Sequence, residues 1–267
     1  MNTINTTGND DYRSSAQFYD CIPVYEGRDD IDYYVDLAEK IGGPVLELGC
    51  GTGRVLVPVA QTGCDITGLD PSSAMLNICR KRLKEEDTDL RRRVTIIEGD
   101  MRNFNLGRKF SLITTPFRSF QHLETVEDQL KTLENVHRHL EDKGIFILDL
   151  FNPSMKYILD ESRKEEFGDE LPFDLPDGRK VTRRFRNPSV DLARQLINCE
   201  MIYLAEYPDG RKERTVHSFK MRYIFRYEAE HLLEMSGFRI MDVLGAFDGS
   251  PFGTSWPGEL IITATLV

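Results

Sequence analysis

Val45-Leu46-Glu47-Leu48-Gly49-Cys50-Gly51-Thr52-Gly53-Arg54 is the stretch that decides the fold of this 267-residue chain. The apolar run Val45 to Leu48, introduced by Pro44, reads as a buried strand. It enters a turn with glycines spaced GxGxG, and an apolar helix pattern follows at once through Ala60. Glycines let the backbone take positive φ and let a ligand approach the main chain. A dinucleotide fingerprint would read GxGxxG and set a pyrophosphate against the helix N-terminus. Here the spacing differs, and Glu47 stands two residues before the first glycine. A carboxylate there repels a diphosphate and suits a cationic ligand.

Working outward, the same rhythm repeats. Asp65 to Leu69 reads as a strand, and Pro71 to Glu86 as a helix opened by Pro71 and Ser72. Val94 to Glu98 and Ser111 to Thr115 read as strands. Thr125-Val126-Glu127-Asp128 opens a helix to Leu140, which Lys143-Gly144 closes, and Ile145 to Leu150 is a strongly apolar strand. Strands alternating with helices imply right-handed crossovers and a parallel sheet covered on both faces. After Leu150 the rhythm breaks. Between about Lys164 and Arg226 the apolar residues alternate with period two, and Asp177-Gly178 and Asp209-Gly210 sit between runs as hairpin signals. A helix from Glu228 and strands near Arg239–Leu244 and Leu260–Leu266 resume the first pattern. The expected fold is therefore α/β: a seven-stranded Rossmann-like sheet built from 1–150 and 227–267, with 151–226 as an antiparallel β insertion of three or four strands. Residues 14–40 read as helical, and the polar 1–12 as loosely attached.

Two more carboxylates fall where strands end. Asp70 closes the second strand, beside the first in a doubly wound sheet, where it can accept both hydroxyls of a ribose. Asp100 and Met101 follow the third strand, in position to accept from an adenine amino group and cover its ring. The run 45–54, with Asp70, Gly99-Asp100-Met101 and this order of elements, resembles the class I S-adenosylmethionine-dependent methyltransferases over roughly 30–150 and 227–267. The resemblance implies a seven-stranded methyltransferase sheet and S-adenosyl-L-methionine as cofactor. The implied contacts are Glu47, Gly49, Cys50, Gly51, Gly53, Asp70, Pro71, Ser72, Met75, Asp100, Met101, Thr115 and Pro116.

The fourth strand runs into Pro116-Phe117-Arg118-Ser119-Phe120-Gln121-His122-Leu123, the position that faces the methyl group in that family. It lacks the Asn-Pro-Pro-Tyr-type motif of DNA and protein-glutamine methyltransferases. Ser119 to Leu123 is instead similar to the Ser-Phe-x-His-Leu run of glycine N-methyltransferases and the His-Leu of amino-sugar N-methyltransferases. The resemblance implies methyl transfer to a small molecule, at an amine nitrogen or alternatively an oxygen, under a lid formed by 151–226. His122 is the implied base or anchor, with Arg118 and Phe120 also on the substrate. Ala16-Gln17-Phe18-Tyr19-Asp20 is similar to the leader helix of such enzymes, which makes Tyr19 the residue closing over the cofactor, with Tyr33 behind it. Phe252 and Trp256 are candidates for the substrate entrance. A nicotinamide oxidoreductase and a non-catalytic cofactor-binding protein are the rival readings.

Composition narrows the partners. A net charge of −10 disfavours a nucleic-acid polymer, because phosphate binding draws on a basic surface. No apolar stretch reaches membrane-spanning length, and the polar N-terminus lacks a secretion pattern, which together predict a cytoplasmic protein without membrane partners. Five scattered cysteines with no CxxC pair suggest neither a disulfide framework nor a metal site. Exposed strand edges in the lid suit a homodimer.

Overall fold

The computed structural model describes residues 2–6, 12–26, 28–168 and 170–267, with backbone alone for 2–6 and 26. The chain opens with strand β1 (Asn2–Thr6) and three short helices, α1 (Ala16–Tyr19), α2 (Pro23–Glu26) and α3 (Asp30–Ile41). The single helical stretch expected over 14–40 is thus divided. Pro23 is accommodated as the first residue of α2, where its missing N–H has no intrahelical partner to lose.

The main sheet follows: β2 (Val45–Leu48), α4 (Leu56–Gln61), β3 (Ile66–Asp70), α5 (Ser73–Glu85), α6 (Thr88–Arg93), β4 (Val94–Glu98) and β5 (Phe110–Thr115). A 3-10 segment, Pro116–His122, leads to α7 (Val126–His139) and β6 (Leu140–Phe151). Thr125 caps α7 by accepting the Asp128 N–H at 3.1 Å. Lys143-Gly144 does not close that helix: β6 already begins at Leu140, so the pair lies inside the strand.

The insertion contains α8 (Met155–Ile158), β7 (Phe173–Asp174), β8 (Lys180–Asp191), β9 (Leu196–Glu206) and β10 (Lys212–Arg222). The chain then returns through α9 (Arg226–Met235) to β11 (Phe238–Leu244) and β12 (Glu259–Leu266). The seven-stranded sheet has the order β11-β12-β6-β5-β2-β3-β4, and only β11 and β12 run antiparallel to their neighbours. This is the expected α/β architecture. Apolar clusters cover both faces, one centred on Leu46, Leu48, Ile113 and Phe146, the other on Val45, Leu56, Leu112 and Ile147.

The second sheet has the order β1-β10-β9-β8-β7, antiparallel except for β1. Gly178 and Gly210 take φ +85° and +81° at the turns before β8 and β10, the left-handed region that Asp-Gly pairs supply. Of residues 1–12, expected to be loosely attached, 2–6 lie parallel on β10 with Thr6 opposite His217, while 1 and 7–11 lie outside the described residues. The N-terminal strand β1 thus covers the edge of β10, and β1 and β7 are the edges of this sheet. One face of this sheet packs Val181, Tyr203 and Ala205 against Phe18, Ile22 and Tyr25 of the leader.

Candidate active site

The glycine loop leaves the C-terminal end of β2 and is fastened to β3. Gly49 donates its N–H to Leu69 O at 2.7 Å with φ +81°. A Cβ on Gly49 would lie 2.4 Å from Ser119 Cβ, so the loop and the strand-four segment share this space. Ser119 Oγ in turn donates to Leu48 O at 2.8 Å. Asp70 organises the other side. Its Oδ2 accepts the Gly51 N–H at 2.9 Å and its Oδ1 accepts the Ser72 N–H at 2.8 Å. Ser72 Oγ accepts the Met75 N–H at 3.2 Å and so caps α5. One carboxylate thereby joins the loop to the start of the next helix.

Glu47 is 2% exposed, and its Oε2 has no hydrogen-bond partner among the described residues. Burial pushes its carboxyl well above the usual range; Arg54 opposes this, and Asp70 and Asp30 add to it. Asp100 has the opposite environment. Oδ1 accepts from Arg102 N and Nε at 2.8 and 2.9 Å, and Oδ2 accepts from Nε and Nη2 at 3.0 and 2.5 Å. These bonds to Arg102 hold the Asp100 carboxyl below its ordinary value. A carboxylate has about four acceptor sites, so the expected bond from an adenine amino group requires Arg102 to let go. Both groups are partly exposed, and that exchange is cheap.

The strand-four segment is strained. Phe117 and Arg118 take φ +53° and +66°, consecutive left-handed residues with side chains. The Phe117 N–H donates to Asp149 Oδ2 at 2.9 Å. Asp149 is fully buried at the end of β6, with Arg28 Nη2 at 3.9 Å, and Arg28 also reaches Glu259 at 3.2 Å. Arg118 pairs with Glu259 at 3.4 Å. Phe120 is fully buried and packs in the core. Gln121, also fully buried, accepts the Phe151 N–H at 2.6 Å and donates to Arg222 O at 2.9 Å. It ties the end of β6 to the end of β10 and fixes His122 between them.

His122 is accessible, yet surrounding protein lowers its pKa to about 4. Its Nε2 lies 3.3 Å from Tyr12 Oη, and its ring is 5.4 Å from Phe219 of the lid. Tyr19 stands 6.3 Å from Tyr12, 5.1 Å from Tyr25 and 6.2 Å from Phe117 by ring centroids. The leader is clamped over the glycine loop: Thr52 Oγ1 donates to Asp20 Oδ1 at 2.6 Å, and Asp20 pairs with Arg82 at 2.7 Å. Arg54 holds Asp30 with both terminal nitrogens, at 2.9 and 2.5 Å. Lid and leader are joined where Arg183 donates to Tyr25 Oη at 2.8 Å and Phe18 stacks on Tyr203 at 4.4 Å.

A family profile described as a methyltransferase domain matches residues 45–144. The carboxy-S-adenosyl-L-methionine synthase of Aliivibrio salmonicida (strain LFI1238) is 31% identical over 185 residues, 67% of this chain and 70% of that protein. The dTDP-3-amino-3,4,6-trideoxy-α-D-glucopyranose N,N-dimethyltransferase of Streptomyces venezuelae is 31% identical over 140 residues, 50% of this chain and 56% of that protein. This chain thus spans about half the length of that relative and of others like it. In fold, it superposes on the CcbJ methyltransferase from Streptomyces caelestis with a TM-score of 0.78 at 20% identity, covering 98% of this chain and 100% of that one. The chain belongs to the class I S-adenosylmethionine-dependent methyltransferases.

Within this chain, the structure brings together Glu47, Gly49, Gly51, Gly53, Asp70, Ser72 and Met75 around one loop. Cys50 contributes backbone only, since its thiol is buried against Gly68. Met101 is buried beside the loop, Pro71 is exposed, and Thr115 and Pro116 are buried at the end of β5. Tyr33, the second candidate for closing over the cofactor, packs on Tyr34 and Phe247 at 5.4 and 5.6 Å. Trp256 is 65% exposed and meets Phe252 edge-on at 6.2 Å. Sequence reasoning missed Tyr12, Arg28, Asp30, Asp149 and His217. Only Asp149 left a signal, a lone carboxylate inside the apolar strand Ile145 to Leu150. Among the described residues no cluster of His, Cys, Asp and Glu is arranged for a metal, and no helix is long and apolar enough to cross a membrane.

Proposed function

We propose that this methyltransferase transfers a methyl group from S-adenosyl-L-methionine to the amine nitrogen of a small molecule, of the amino-sugar class named for its Streptomyces venezuelae relative. The observation that carries the reading is the unpartnered Oε2 of Glu47, buried at the foot of the glycine loop. A buried carboxylate oxygen without a partner costs several kcal/mol unless a donor or cation meets it. The ammonium and sulfonium of the cofactor meet that need, whereas a nicotinamide dinucleotide would set a diphosphate there.

Bound S-adenosylmethionine supplies a methyl group on a sulfonium, already a good leaving group. The chain's own residues do the rest. Glu47 and the loop amides would hold the amino-acid end of the cofactor, Asp70 would hold the ribose, and Met75 and Met101 would line its adenine. Asp100 reaches the adenine only after exchange with Arg102. The 151–226 lid and the leader exclude water and align the nitrogen. With a pKa near 4, His122 is a poor store for an ammonium proton. It therefore acts as a neutral hydrogen-bonding anchor, together with Tyr12 and Tyr19. Unpaired cysteines and the acidic charge support a cytoplasmic enzyme without a nucleic-acid partner.

The test is incubation of the full chain with methyl-labelled S-adenosylmethionine and a metabolite extract, followed by mass spectrometry, with S-adenosylhomocysteine titrated by calorimetry. Label on a nitrogen of a small molecule is expected. Homocysteine-cofactor binding without any labelled product would leave a non-catalytic binding protein, and NADH binding in its place would leave an oxidoreductase.

A further inference from the structure

His217 lies on β10, on the inner face of the lid, opposite Met201 of β9. It is 1% exposed. Its Nδ1 is 3.1 Å from Ser15 Oγ, its ring is 4.5 Å from Tyr12 and 5.0 Å from Phe219, and His122 acts on it electrostatically. None of these neighbours comes from the glycine loop. Its Nε2 has no hydrogen-bond partner among the described residues.

A histidine buried for structure alone is satisfied at both nitrogens, and this chain contains one. His139 is 3% exposed, with Nδ1 2.8 Å from Asn135 O and Nε2 accepting the Leu106 N–H at 3.0 Å. His217 differs by one missing partner, in the wall that carries Tyr12 and His122.

The Ser15 hydroxyl bears on the tautomer. Ser15 has one hydroxyl proton and two acceptors in range, His217 Nδ1 at 3.1 Å and Tyr12 O at 3.4 Å. Tyr12 O already accepts the Ser15 and Ala16 N–H groups at 3.0 and 2.8 Å, which fills its two lone pairs. With the hydroxyl proton on the shorter contact, to Nδ1, the ring's own proton sits on Nε2. Burial keeps the ring neutral, with its pKa lowered to about 4. What is left is a buried, uncharged N–H donor beside Tyr12 that lacks an acceptor among the described residues.

We infer that His217 is a specificity-determining residue for the methyl acceptor, donating from Nε2 to an oxygen carried by that molecule near its amine. The inference rests on the methyl-transfer reading above and deepens it: the acceptor is an amine with a hydroxyl or carbonyl oxygen, and the lid recognises that oxygen.

The full chain and its His217→Met and His217→Gln variants are compared in the labelled-extract assay, with S-adenosylhomocysteine calorimetry in parallel. His217→Met should bind S-adenosylhomocysteine as the parent does and lose about tenfold in product formation through KM, the loss of one neutral hydrogen bond. Gln places an N–H near the Nε2 position and should recover much of that loss. Labelling by His217→Met at the parent rate overturns the inference, as does an equal loss in Met and Gln variants that both bind S-adenosylhomocysteine normally. Nitrogen NMR of the histidine-labelled chain with S-adenosylhomocysteine bound gives a readout independent of turnover. It should show a neutral ring protonated at Nε2 between about pH 5 and 8; a ring protonated at Nδ1 instead overturns the inference. Failure of S-adenosylhomocysteine to bind the parent would count against the methyltransferase reading itself.

Discussion

The Phe117 N–H donates to Asp149 Oδ2 at 2.9 Å, joining a left-handed residue at the end of β5 to a fully buried carboxylate at the end of β6. Left-handed residues with side chains cost about 1–3 kcal/mol each and persist only where their surroundings hold them. Here the hold is this bond, Gln121 bridging Phe151 and Arg222, and Ser119 on Leu48. The turn that carries His122 is thereby built from its neighbours rather than from its own propensity.

Asp149 makes that hold pH-sensitive. Burial lifts its carboxyl from 3.8 to about 6, against Arg28 and Arg118, which lower it. A carboxyl raised in the folded state binds its proton more tightly there, so this group's contribution falls as pH rises through that interval. Two pKa units set a ceiling of about 3 kcal/mol. Asp149→Asn keeps an acceptor for Phe117 N–H without the charge. Urea unfolding across the interval should show a flatter pH dependence in the variant than in the parent. Identical slopes would mean that Asp149 titrates normally.

Gly49→Ala tests the shared space between loop and turn. The new Cβ meets Ser119 Cβ at 2.4 Å, and φ is +81°. Strain and overlap together should cost roughly 2–4 kcal/mol. Adding Ser119→Gly relieves the overlap and leaves the φ penalty, so thermal unfolding should place the double variant between the single variant and the parent. A double variant no better than Gly49→Ala alone would show that the clash is absorbed elsewhere.

Asp70→Ala removes the acceptor for both Gly51 N–H and Ser72 N–H. Loss of charge-assisted bonds should weaken S-adenosylhomocysteine binding by about ten- to a hundredfold and lower stability by about 1–3 kcal/mol. Calorimetry and urea unfolding on the same preparation check both. An unchanged dissociation constant would take Asp70 out of the cofactor site.

Much of this was legible because parallel strands buried on both faces read as short apolar runs, and Gly49, Gly51 and Gly53 announce a turn with positive φ. The lid's strands were legible from period-two alternation and the Asp177-Gly178 and Asp209-Gly210 turns. The rest depends on partners far apart in sequence. Asn2–Thr6 becomes a strand only because β10 offers an edge more than two hundred residues later. Phe117 and Arg118 have no composition that marks positive φ. Asp100 and Arg118 carry the expected charges, but Arg102 and Glu259 engage them first.

Asp20 predicts how the leader closes. It accepts from Thr52 Oγ1 and pairs with Arg82, both on elements that flank the loop. The ion pair is partly exposed and contributes little; the Thr52 bond is shorter and part-buried. Asp20→Ala should lower S-adenosylhomocysteine affinity by a few fold and speed proteolysis within residues 12–26, about 1 kcal/mol in each case. Unchanged proteolysis would show that Phe18 and Tyr25, packed on the lid, suffice to hold the leader.

His217 titrates with the sign opposite to Asp149. Burial lowers its pKa from 6.5 to about 4, with His122 adding to the shift, so the unfolded chain binds the proton that the folded chain refuses. Stability from this group is complete above about pH 6.5 and is lost as pH falls toward 4. The ceiling is again about 3 kcal/mol, and at 1% exposure little solvent screens it. His217→Gln carries no titrating group, so its urea midpoint should fall less than the parent's on acidification, while Asp149→Asn should fall more. Parallel curves for all three chains would place both charges in water, and a histidine in water would have no reason to await a partner from the acceptor.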